Sequence, residues 1–325
     1  MFSLLILNMN EKILAYLRES DSYISGEELS QKLNITRSAV WKNIHALIGD
    51  GYEIIAVPHL GYKLSKITHK LLPQEIKYNL NTKLIGKEIF YFDSLTSTMD
   101  KALELALANF PEGSVVVAET QVKGRGRLGR HWVSPKYKGI YFSLILRPKI
   151  LPQQASVLTI VVAVSVAEAI EKTTQNRPNI KWPNDILIDD KKVGGILVEM
   201  NAETDAVKFV VIGVGLNVSS SKTQLPQHAS SLGQDANNRA FLLQEILRRI
   251  EANYLDFNRG ESSLIIEKWR KVSSTLHSRV KVTCLKEHIE GEAVDIDLDG
   301  GLLVRKDSGF IEKVMAGDVI SLKRL

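Results

Sequence analysis

Residues 153–171, QQASVLTIVVAVSVAEAIE, are the stretch that decides the fold class. Wound as a helix, this segment has apolar side chains on almost every face, and such a helix is buried in a protein core. The sequence therefore predicts a central helix packed against a sheet. Its apolar run from Val157 to Val166, broken by Thr159 and Ser165, is too short to span a bilayer.

Shorter segments on both sides of this helix alternate between strand and helix patterns. Apolar runs predict strands at 88–92, 114–118, 141–146, 186–188, 192–199 and 207–218, and helices are expected from Thr98 onward and at 239–259 and 262–270. Strands with returning helices indicate a layered α/β or α+β fold. Near the C-terminus, Val280, Val282, the alternation over 294–298 and the Asp299-Gly300 turn predict a small β-barrel.

The first 66 residues have the pattern of three helices and a hairpin. Ser25 with Glu28 is a capping box, and Asn34-Ile35-Thr36 makes a tight turn before the third helix. This order predicts a winged helix-turn-helix, with strands at 53–57 and 62–64 as the wing. The third helix should expose a tryptophan among polar and basic side chains. These candidate DNA contacts are Arg37, Ser38, Trp41, Lys42 and His45.

The charge balance of this segment leaves a second interpretation open. Residues 1–66 contain seven basic and seven acidic residues, and the whole chain of 325 residues has a net charge of only +5. A small helical domain for protein contacts would show the same neutrality. Because the bases lie mostly on the third helix and the wing, and the acids on the first two helices, DNA binding is the favoured interpretation.

Composition places the chain among large globular proteins. With 44% hydrophobic and 24% charged residues it can bury a sizeable core, and we expect domains at 1–66, 67–272 and 273–325. A single cysteine, Cys284, excludes an intramolecular disulfide and a zinc site of several thiolates. The apolar Met1–Leu7 lacks a basic lead and a cleavage site, so it makes a poor signal peptide. We therefore expect a soluble cytoplasmic protein without a membrane partner.

The most unusual segment is Gly124-Arg125-Gly126-Arg127-Leu128-Gly129-Arg130, in which glycines and arginines alternate. Glycine lets backbone amides approach a ligand closely, and each arginine provides a planar charged fork for phosphate or carboxylate. The pattern predicts a loop that binds an anion and is mobile without one. A solvated linker or an RNA-binding arginine-glycine segment is the alternative, although the run is single, short and flanked by Trp132 and Tyr137.

Other polar or glycine positions interrupt strand patterns in the middle of the chain. They are Ser97-Thr98, Gln121, Lys181-Trp182-Pro183-Asn184-Asp185, Lys192 with Gly194-Gly195, and Gly213-Val214-Gly215-Leu216-Asn217. Each alone has a structural explanation, such as a helix cap, relief of strand packing, a solvated lysine or a turn residue. Together they suit nucleotide-dependent activation of a small acid, with one carboxylate for magnesium. Neither a Walker phosphate loop nor a dinucleotide fingerprint occurs.

In this order along the chain, the motifs resemble those of the biotin-protein ligases. The resemblance covers essentially the whole chain and points to the bifunctional members that also repress the biotin operon. It implies an α+β multidomain architecture with a winged helix-turn-helix, a class II synthetase-like mixed α/β catalytic domain and an SH3-like β-barrel. It also implies that biotin and ATP, with Mg²⁺, give biotinyl-5'-adenylate, whose biotin passes to a lysine of a biotin carboxyl carrier protein.

The resemblance also implies residue roles. The biotin-binding set is Ser97, Thr98, Met99, Gln121, Gly124, Arg125, Gly126, Arg127, Lys192 and Gly195. The nucleotide-binding set is Arg125, Arg127, Arg130, Trp132, Asn184, Lys192 and Asn217. The catalytic set is Lys192, Arg127, Arg125, Lys181 and Asp185, with Asp185 as a Mg²⁺ ligand. The family often has Asn where this chain has Met99, and a thioether cannot replace the two-way hydrogen bonding of an amide.

The implied partners are the carrier protein, operator DNA and a second copy of the chain in a liganded homodimer, with the adenylate as corepressor. Two alternatives stay open. One is a ligase whose N-terminal domain does not bind DNA, and the other is a biotin-responsive regulator without catalysis. A lipoate ligase of related fold fits less well because its motifs differ.

Overall fold

The computed structural model describes residues 9–203, 205–233, 238–284 and 287–322. The segment Met1–Leu7, which the sequence marks as a poor signal peptide, lies outside these residues. The chain divides into two compact units, Met1–Lys70 and Leu71–Leu325.

The N-terminal unit contains three helices followed by one hairpin. Its elements are α1 Met9–Glu19, α2 Gly26–Leu33, α3 Arg37–Gly49, β1 Glu53–Val57 and β2 Gly61–Lys66. The apolar positions expected to face inward on α1 and α3 are all buried, and they form the core of the unit: Ile13, Leu14, Leu17, Val40, Ile44 and Leu47. The predicted helix-turn-helix with a two-stranded wing is therefore confirmed.

Local hydrogen bonds explain where these helices begin. The hydroxyl of Ser25 accepts the amide of Glu28 at 3.0 Å, and the hydroxyl of Thr36 accepts the amide of Ala39 at 3.2 Å. Each bond satisfies an amide that the first helical turn leaves without a partner. The wing is tied back by Tyr62, whose amide and carbonyl both pair with Ile24 at 2.9 Å.

The second unit is built around a seven-stranded mixed sheet. Its strands are β3 Ile89–Phe92, β4 Val115–Ala118, β5 Gly139–Leu146, β6 Asn179–Lys181, β7 Asp185–Ile188, β8 Lys191–Ala202 and β9 Val207–Asn217. The strand order is β3-β4-β5-β9-β8-β7-β6, and only the β3–β4 pair is parallel. The mixed α/β layer expected from the sequence is thus present.

Helices cover both faces of this sheet. They are α4 Pro73–Lys77, α5 Thr98–Leu107, α6 Val157–Thr173, α7 Arg239–Asn258 and α8 Ser262–Lys271. Along β9, Val210, Ile212 and Val214 join the core beneath α6 and α7, whereas Phe209 and Val211 pack with α5. Because side chains alternate across a strand, Gly213, Gly215 and Asn217 continue the α5 face.

The central helix is the predicted core element. A 3₁₀ turn, Pro152–Ser156, leads into α6. Together they form an apolar stretch of 22 residues, Pro152–Thr173, which is longer than the sequence suggested and passes a membrane-span test by length and composition. However, 72% of the tested window is buried inside the protein, as expected for a core helix.

The C-terminal strands form a separate five-stranded antiparallel sheet within the second unit. They are β10 Arg279–Cys284, β11 Glu287–Ile296, β12 Leu302–Arg305, β13 Ile311–Val314 and β14 Asp318–Ser321, in the order β13-β12-β11-β10-β14. A β-rich C-terminal region is therefore present. Among the described residues the sheet is open between β13 and β14, so the closure of the expected barrel is not confirmed.

Candidate active site

A cavity of about 300 Å³ opens on the α5 face of the seven-stranded sheet. It collects residues that the sequence analysis selected from distant segments. Those that line it are Thr98, Met99, Gln121, Arg125, Gly126, Arg127, Arg130, Trp132, Asn184, Asp185, Lys192, Gly195 and Asn217. Three further candidates, Ser97, Gly124 and Lys181, lie outside this lining.

One end of the cavity is polar and tightly organised. The amide and hydroxyl of Thr98 both donate to Gln121 Oε1, at 2.9 and 3.1 Å, and the hydroxyl of Ser143 donates to Thr98 Oγ1 at 2.9 Å. Gln121 Nε2 in turn donates to Ser134 Oγ at 3.0 Å. The network fixes the orientation of each group, which suits a small polar head group rather than a flexible chain.

Ser97 adds a buried hydroxyl beside this network. It precedes α5, but its side chain makes no capping hydrogen bond, so the cap interpretation does not account for it. The residue is only 2% exposed, and its Oγ has no hydrogen-bond partner among the described residues. A buried hydroxyl without a partner is costly, so a ligand atom that pairs with it would be favoured.

The floor of the cavity is formed by residues of two paired strands, three of which are glycines. We define it as Lys192, Gly195, Gly213, Gly215 and Asn217 of β8 and β9, where Gly195 and Gly215 are directly opposite each other. A Cβ added at Gly215 would lie 2.4 Å from Trp132 Cε2, and one at Gly213 would lie 2.6 Å from Met99 Sδ. Close approach by these two side chains therefore requires glycine at both positions.

The roof is a short hairpin, defined here as residues 124–132. Gly124 O accepts the Trp132 amide at 2.8 Å, Arg125 bridges to His131, and the Gly126 amide donates to Arg130 O at 2.8 Å. A 3₁₀ turn, Arg127–Gly129, forms its tip. The hairpin thus places Arg127 at the tip and the Trp132 indole on the floor.

Four lysine and arginine side chains of the described residues line the cavity, and three of them have carboxylate partners. Lys192 Nζ lies 2.6 Å from Asp185 Oδ1 and 5.5 Å from the Trp132 ring centroid. Arg125 pairs with Asp100 at 2.8 Å and also with Glu199, and Arg130 pairs with Asp318. In these three pairings the positive charge is at least partly neutralised.

Arg127 is the exception within the described part of the chain. Its guanidinium donates to two neutral oxygens, Asn184 Oδ1 at 3.0 Å and Gly317 O at 3.2 Å, with no ion pair to a carboxylate. Burial lowers the pKa of Arg127, while the nearby carboxylates of Asp318 and Asp185 act in the opposite direction. An arginine stays protonated under such conditions, so it offers an unneutralised positive charge to a ligand.

The segment Lys181–Asp185 reaches the cavity because its tryptophan is anchored in the core. Trp182 is buried, its amide donates to Thr275 Oγ1 at 2.9 Å, and its indole donates to Gly300 O at 3.0 Å. Asn184 and Asp185 then line the cavity, whereas Lys181 is half-buried at the end of β6, outside the lining.

Asn217 ends the floor strand beside the cavity. Its Nδ2 donates to Ser230 O at 3.0 Å, and its buried Oδ1 has no partner among the described residues. The same is true of the Trp132 indole nitrogen. These two atoms leave an acceptor and a donor available beside the glycine floor.

The residues present suit magnesium only in company with phosphates. Among the described residues, no group of three or more His, Cys, Asp or Glu could hold a metal ion. Asp185 is the one metal ligand that the sequence resemblance implies, and its carboxylate already contacts Lys192. Because Mg²⁺ is commonly held by one or two carboxylates, water and substrate phosphates, this arrangement fits an ion that arrives with ATP.

Sequence reasoning missed several residues of the site. Asp100 and Glu199 were not selected, although each holds Arg125, and Asp318 comes from the distant C-terminal sheet. The segment before α7 also lines the cavity through Leu225, Pro226, His228 and Ala229. Glu199 ends the predicted strand 192–199 and could have been noticed; the others carry no local signal.

The expected DNA contacts lie together on one helix of the N-terminal unit. Arg37, Ser38, Trp41, Lys42 and His45 are all exposed on α3, with Trp41 at 55%. The Trp41 and His45 rings lie 3.9 Å apart between centroids, and His45 Nδ1 is 3.0 Å from Trp41 O. A large exposed aromatic surface beside basic side chains is consistent with a macromolecular contact.

Comparison with family models divides the chain into three matched regions. Residues 10–63 match an HTH domain, residues 90–217 match the biotin/lipoate A/B protein ligase family, and residues 275–321 match the biotin protein ligase C-terminal domain. The matched central region contains every candidate residue of the cavity.

Several of the matched relatives align over nearly their whole length. The chain is 39% identical to the bifunctional ligase/repressor BirA of Bacillus subtilis over 311 residues, covering 94% of this chain and 95% of that protein. It is 28% identical to BirA of Escherichia coli, covering 95% of each. A solved biotin protein ligase from Aquifex aeolicus, in complex with biotin and ATP, superposes with a TM-score of 0.61 at 29% identity, covering 72% of this chain and 98% of that one.

Proposed function

The chain belongs to the biotin protein ligase family, and we propose that its cavity activates biotin with ATP and that it transfers the biotin to a lysine of a biotin carboxyl carrier protein. The same chain represses transcription through its helix-turn-helix unit in response to biotin. It is thus a ligase and a regulator, and biotinyl-5'-adenylate is both the enzymatic intermediate and the corepressor.

The polar end of the cavity accounts for the biotin head group. A urea-like head offers both donors and an acceptor, and Ser97, Thr98 and Gln121 present hydroxyl and amide groups in a fixed arrangement. The Gly124 backbone lies beside Gln121, since a Cβ added there would be 3.2 Å from Gln121 Nε2. The apolar remainder of the ligand would then lie along the glycine floor, with its carboxylate toward Lys192.

The first half-reaction joins two anions. A carboxylate oxygen of biotin attacks the α-phosphorus of ATP, the bond from that phosphorus to the bridging oxygen breaks, and pyrophosphate leaves. Lys192 and Arg127 provide positive charge on the floor and on the roof, which lowers the repulsion between the reactants. Asn184 and Asn217, with Arg130 and Trp132, line the remaining space for the nucleotide.

The single observation that carries this proposal is the partly buried, unneutralised charge of Arg127. Arg127 is a partly buried cation at the tip of the hairpin and inside the cavity, and among the residues that the structure describes its hydrogen-bond partners are neutral oxygens. A site for a neutral ligand would not need such a group, because burying an unneutralised charge costs free energy. An acyl-adenylate supplies the missing negative charge through its phosphate.

The second half-reaction needs the intermediate to survive until the carrier arrives. The amine of the carrier lysine attacks the acyl carbon, the bond from that carbon to the phosphate oxygen breaks, AMP leaves and the amine loses a proton. Hydrolysis competes with this step, so a roof that covers the mixed anhydride protects it. No described side chain is assigned as the base.

Magnesium enters the proposal with ATP. Asp185 is the residue that would contact it, and Lys181 lies behind it on β6. When bound, the ion would offset charge on the phosphates. Asp185 Oδ1 also lies 2.6 Å from Lys192 Nζ, so Asp185 orients this floor cation whether or not it contacts magnesium.

The finer architecture and context belong to the same proposal. We assign residues 1–66 to DNA binding, 67–272 to catalysis and 273–325 to an SH3-like domain. A cytoplasmic location follows because ATP, the carrier and operator DNA are the implied partners, and a homodimer of liganded chains would match a symmetric operator.

Transfer of biotin tests the ligase directly. The protein is incubated with biotin, ATP, Mg²⁺ and a carrier domain, and the carrier mass is followed with pyrophosphate release. One biotin should be added per carrier, and a carrier whose acceptor lysine is replaced by arginine should stay unmodified. Binding of biotin without pyrophosphate release would instead support a regulator that has no catalysis.

Operator binding tests the second activity. Lys42→Ala should weaken binding to the operator because a phosphate contact is lost. The slope of log K against the logarithm of the salt concentration should fall by about one in magnitude. Lys32→Ala removes the same charge from α2 and is the matched control. Biotin with ATP should tighten binding by the wild type. Operator affinity that neither ligand nor Lys42→Ala changes would favour a ligase whose N-terminal unit does not bind DNA.

A further inference from the structure

Arg125 and Arg127 are two residues apart in the roof hairpin, yet their surroundings differ. Within the described residues Arg127 contacts only neutral oxygens, whereas Arg125 lies between the carboxylates of Asp100 and Glu199. Asp100 is in the first turn of α5, next to Thr98 and Met99, and Glu199 is on β8. Arg125 therefore joins the hairpin to both the helix and the strand that border the cavity.

Charge argues against an anion on the Arg125 guanidinium. One guanidinium and two carboxylates have a net charge of −1, so a phosphate placed on the same group would be repelled by its neighbours. The side chains of Arg125, Asp100 and Glu199 are 36%, 51% and 35% exposed, so water reduces this repulsion without removing it. Arg127, without a carboxylate partner among the described residues, is the better place for the phosphate.

The position of Arg125 in the hairpin indicates a structural role. Arg125 is at the base, where it bridges to His131 beside the paired Gly124 and Trp132, and Arg127 is at the tip. Fixing the base sets the direction of the tip. The planar fork of arginine holds two carboxylates in a fixed geometry, whereas a lysine ammonium acts as a point charge with less directional preference.

We propose that the Arg125 side chain is the anchor of the roof and that Asp100 and Glu199 are positioning residues that act through it. They hold the hairpin so that Arg127 and Trp132 cover the adenylate, and Arg125 does not bind the phosphate through its guanidinium. This inference rests on the proposed ligase function, and it replaces the anion-binding role that the sequence resemblance implies for the Arg125 side chain.

A double-mutant cycle separates an anchor from an anion ligand. The variants are Arg125→Gln, the double variant Asp100→Asn with Glu199→Gln, and the triple variant that combines them. The matched control is Glu203→Gln, because Glu203 pairs with Lys208 at 2.6 Å on an exposed part of the same β8–β9 hairpin. For each protein we would measure KM for ATP, the adenylation rate, the release rate of the adenylate, and trypsin cleavage without ligand after Arg127 and Arg130, two sites that every variant keeps.

If Arg125 is an anchor, losing it and losing its two partners have the same consequence. Arg125→Gln and the double acid variant should each release the adenylate about 5- to 20-fold faster, and the triple variant should be no worse than either. KM for ATP and the adenylation rate should change less than about twofold. The charge-conserving variant Asp100→Glu should release the adenylate at a rate close to that of the wild type. The control Glu203→Gln should behave like the wild type in every measurement.

An anion ligand would give the opposite pattern. Arg125→Gln would then raise KM for ATP or slow adenylation tenfold or more, whereas removal of the acids would leave ATP binding unchanged or tighten it. Either result overturns the anchor. Trypsin cleavage gives a readout that does not depend on catalysis, because a released hairpin should be cut faster in both kinds of variant. A wild type that makes no adenylate would overturn the proposed function, while unchanged cleavage in the variants would overturn the anchor.

Discussion

The floor and the roof of the cavity solve different problems with different kinds of structure. The floor lies on two paired strands, where Gly195 and Gly215 are fixed opposite each other by the sheet register. The roof is a nine-residue hairpin, 124–132, whose arginines are held by side chains and carbonyls from other elements. The comparison indicates that the floor determines where the reacting atoms lie. The roof determines how long the adenylate stays bound in the cavity.

The distinction predicts separate kinetic effects. A change in the floor should alter formation of the adenylate, because Lys192 is on a strand and close to the expected carboxylate. A change in the roof should alter release of the adenylate, because the hairpin covers it. Floor and roof variants that change adenylate formation and adenylate release equally would contradict this division of roles.

The largest effect is expected from loss of the floor cation. Lys192→Gln should slow adenylate formation about 100- to 1,000-fold, since one preorganised group that stabilises developing charge contributes that much. Single-turnover pyrophosphate release measures the rate. Lys191→Gln is the matched control, because this neighbouring lysine is exposed on the other side of the same strand. Equal loss in both variants would point to a general effect of net charge.

Loss of the unneutralised roof cation should come next. Arg127→Gly removes charge-assisted hydrogen bonds to the phosphate, and adenylate release should accelerate about 10- to 100-fold while adenylation slows less. Release is followed by trapping free biotinyl-adenylate after gel filtration. Arg130→Gly should have a smaller effect on release, because Asp318 already pairs with that arginine. Retention as tight as in the wild type would remove Arg127 from its proposed role.

A change in the shape of the floor should weaken the binding of biotin. In Gly215→Ala the new Cβ would lie within 3 Å of three Trp132 ring atoms, so the indole must shift. Overpacking of this kind typically costs about 1–3 kcal/mol, which corresponds to roughly a 5- to 150-fold rise in the biotin Kd if the whole cost falls on the bound state. Calorimetric titration with biotin measures it. Gly49→Ala, whose Cβ would meet nothing within 4 Å, should bind biotin like the wild type.

Met99 should give the smallest effect on ligand binding. It is 3% exposed and belongs to the apolar cluster under α5 with Ala102, Leu105 and Val211. Met99→Asn should destabilise the protein by about 1–3 kcal/mol, because a buried amide is left poorly paired, and should change biotin affinity less than about threefold. Denaturant unfolding and biotin titration test both halves. Much tighter biotin binding would mean that the family's Asn is a ligand contact that this chain has lost.

Much of the fold follows from local sequence patterns. The helix-turn-helix could be predicted because Ser25 and Thr36 cap their helices and Ile13, Leu17 and Val40 recur at helical spacing. The buried α6 was equally clear. These elements depend on near neighbours in the chain, which is the information that a single sequence contains.

The candidate site was only partly predictable for the same reason. The roof motif stands out because alternating glycine and arginine is unusual in any regular element. The partners of its arginines do not: Asp100, Glu199 and Asp318 are ordinary acidic residues until the fold brings them to the hairpin. Whether the C-terminal strands close into a barrel also depends on long-range strand pairing, and alternation of apolar residues does not specify which edges meet.

The identity and amount of the ligand that stays bound after a single turnover show directly whether the cavity makes and retains an acyl-adenylate. The protein is mixed with biotin, Mg²⁺ and ATP labelled at the α-phosphate, separated from free ligand, and then given the carrier domain. The account predicts about one biotinyl-adenylate per chain, which disappears as AMP and biotinylated carrier appear in equal amounts. Recovery of unreacted ATP and biotin, or of no bound nucleotide, would contradict it.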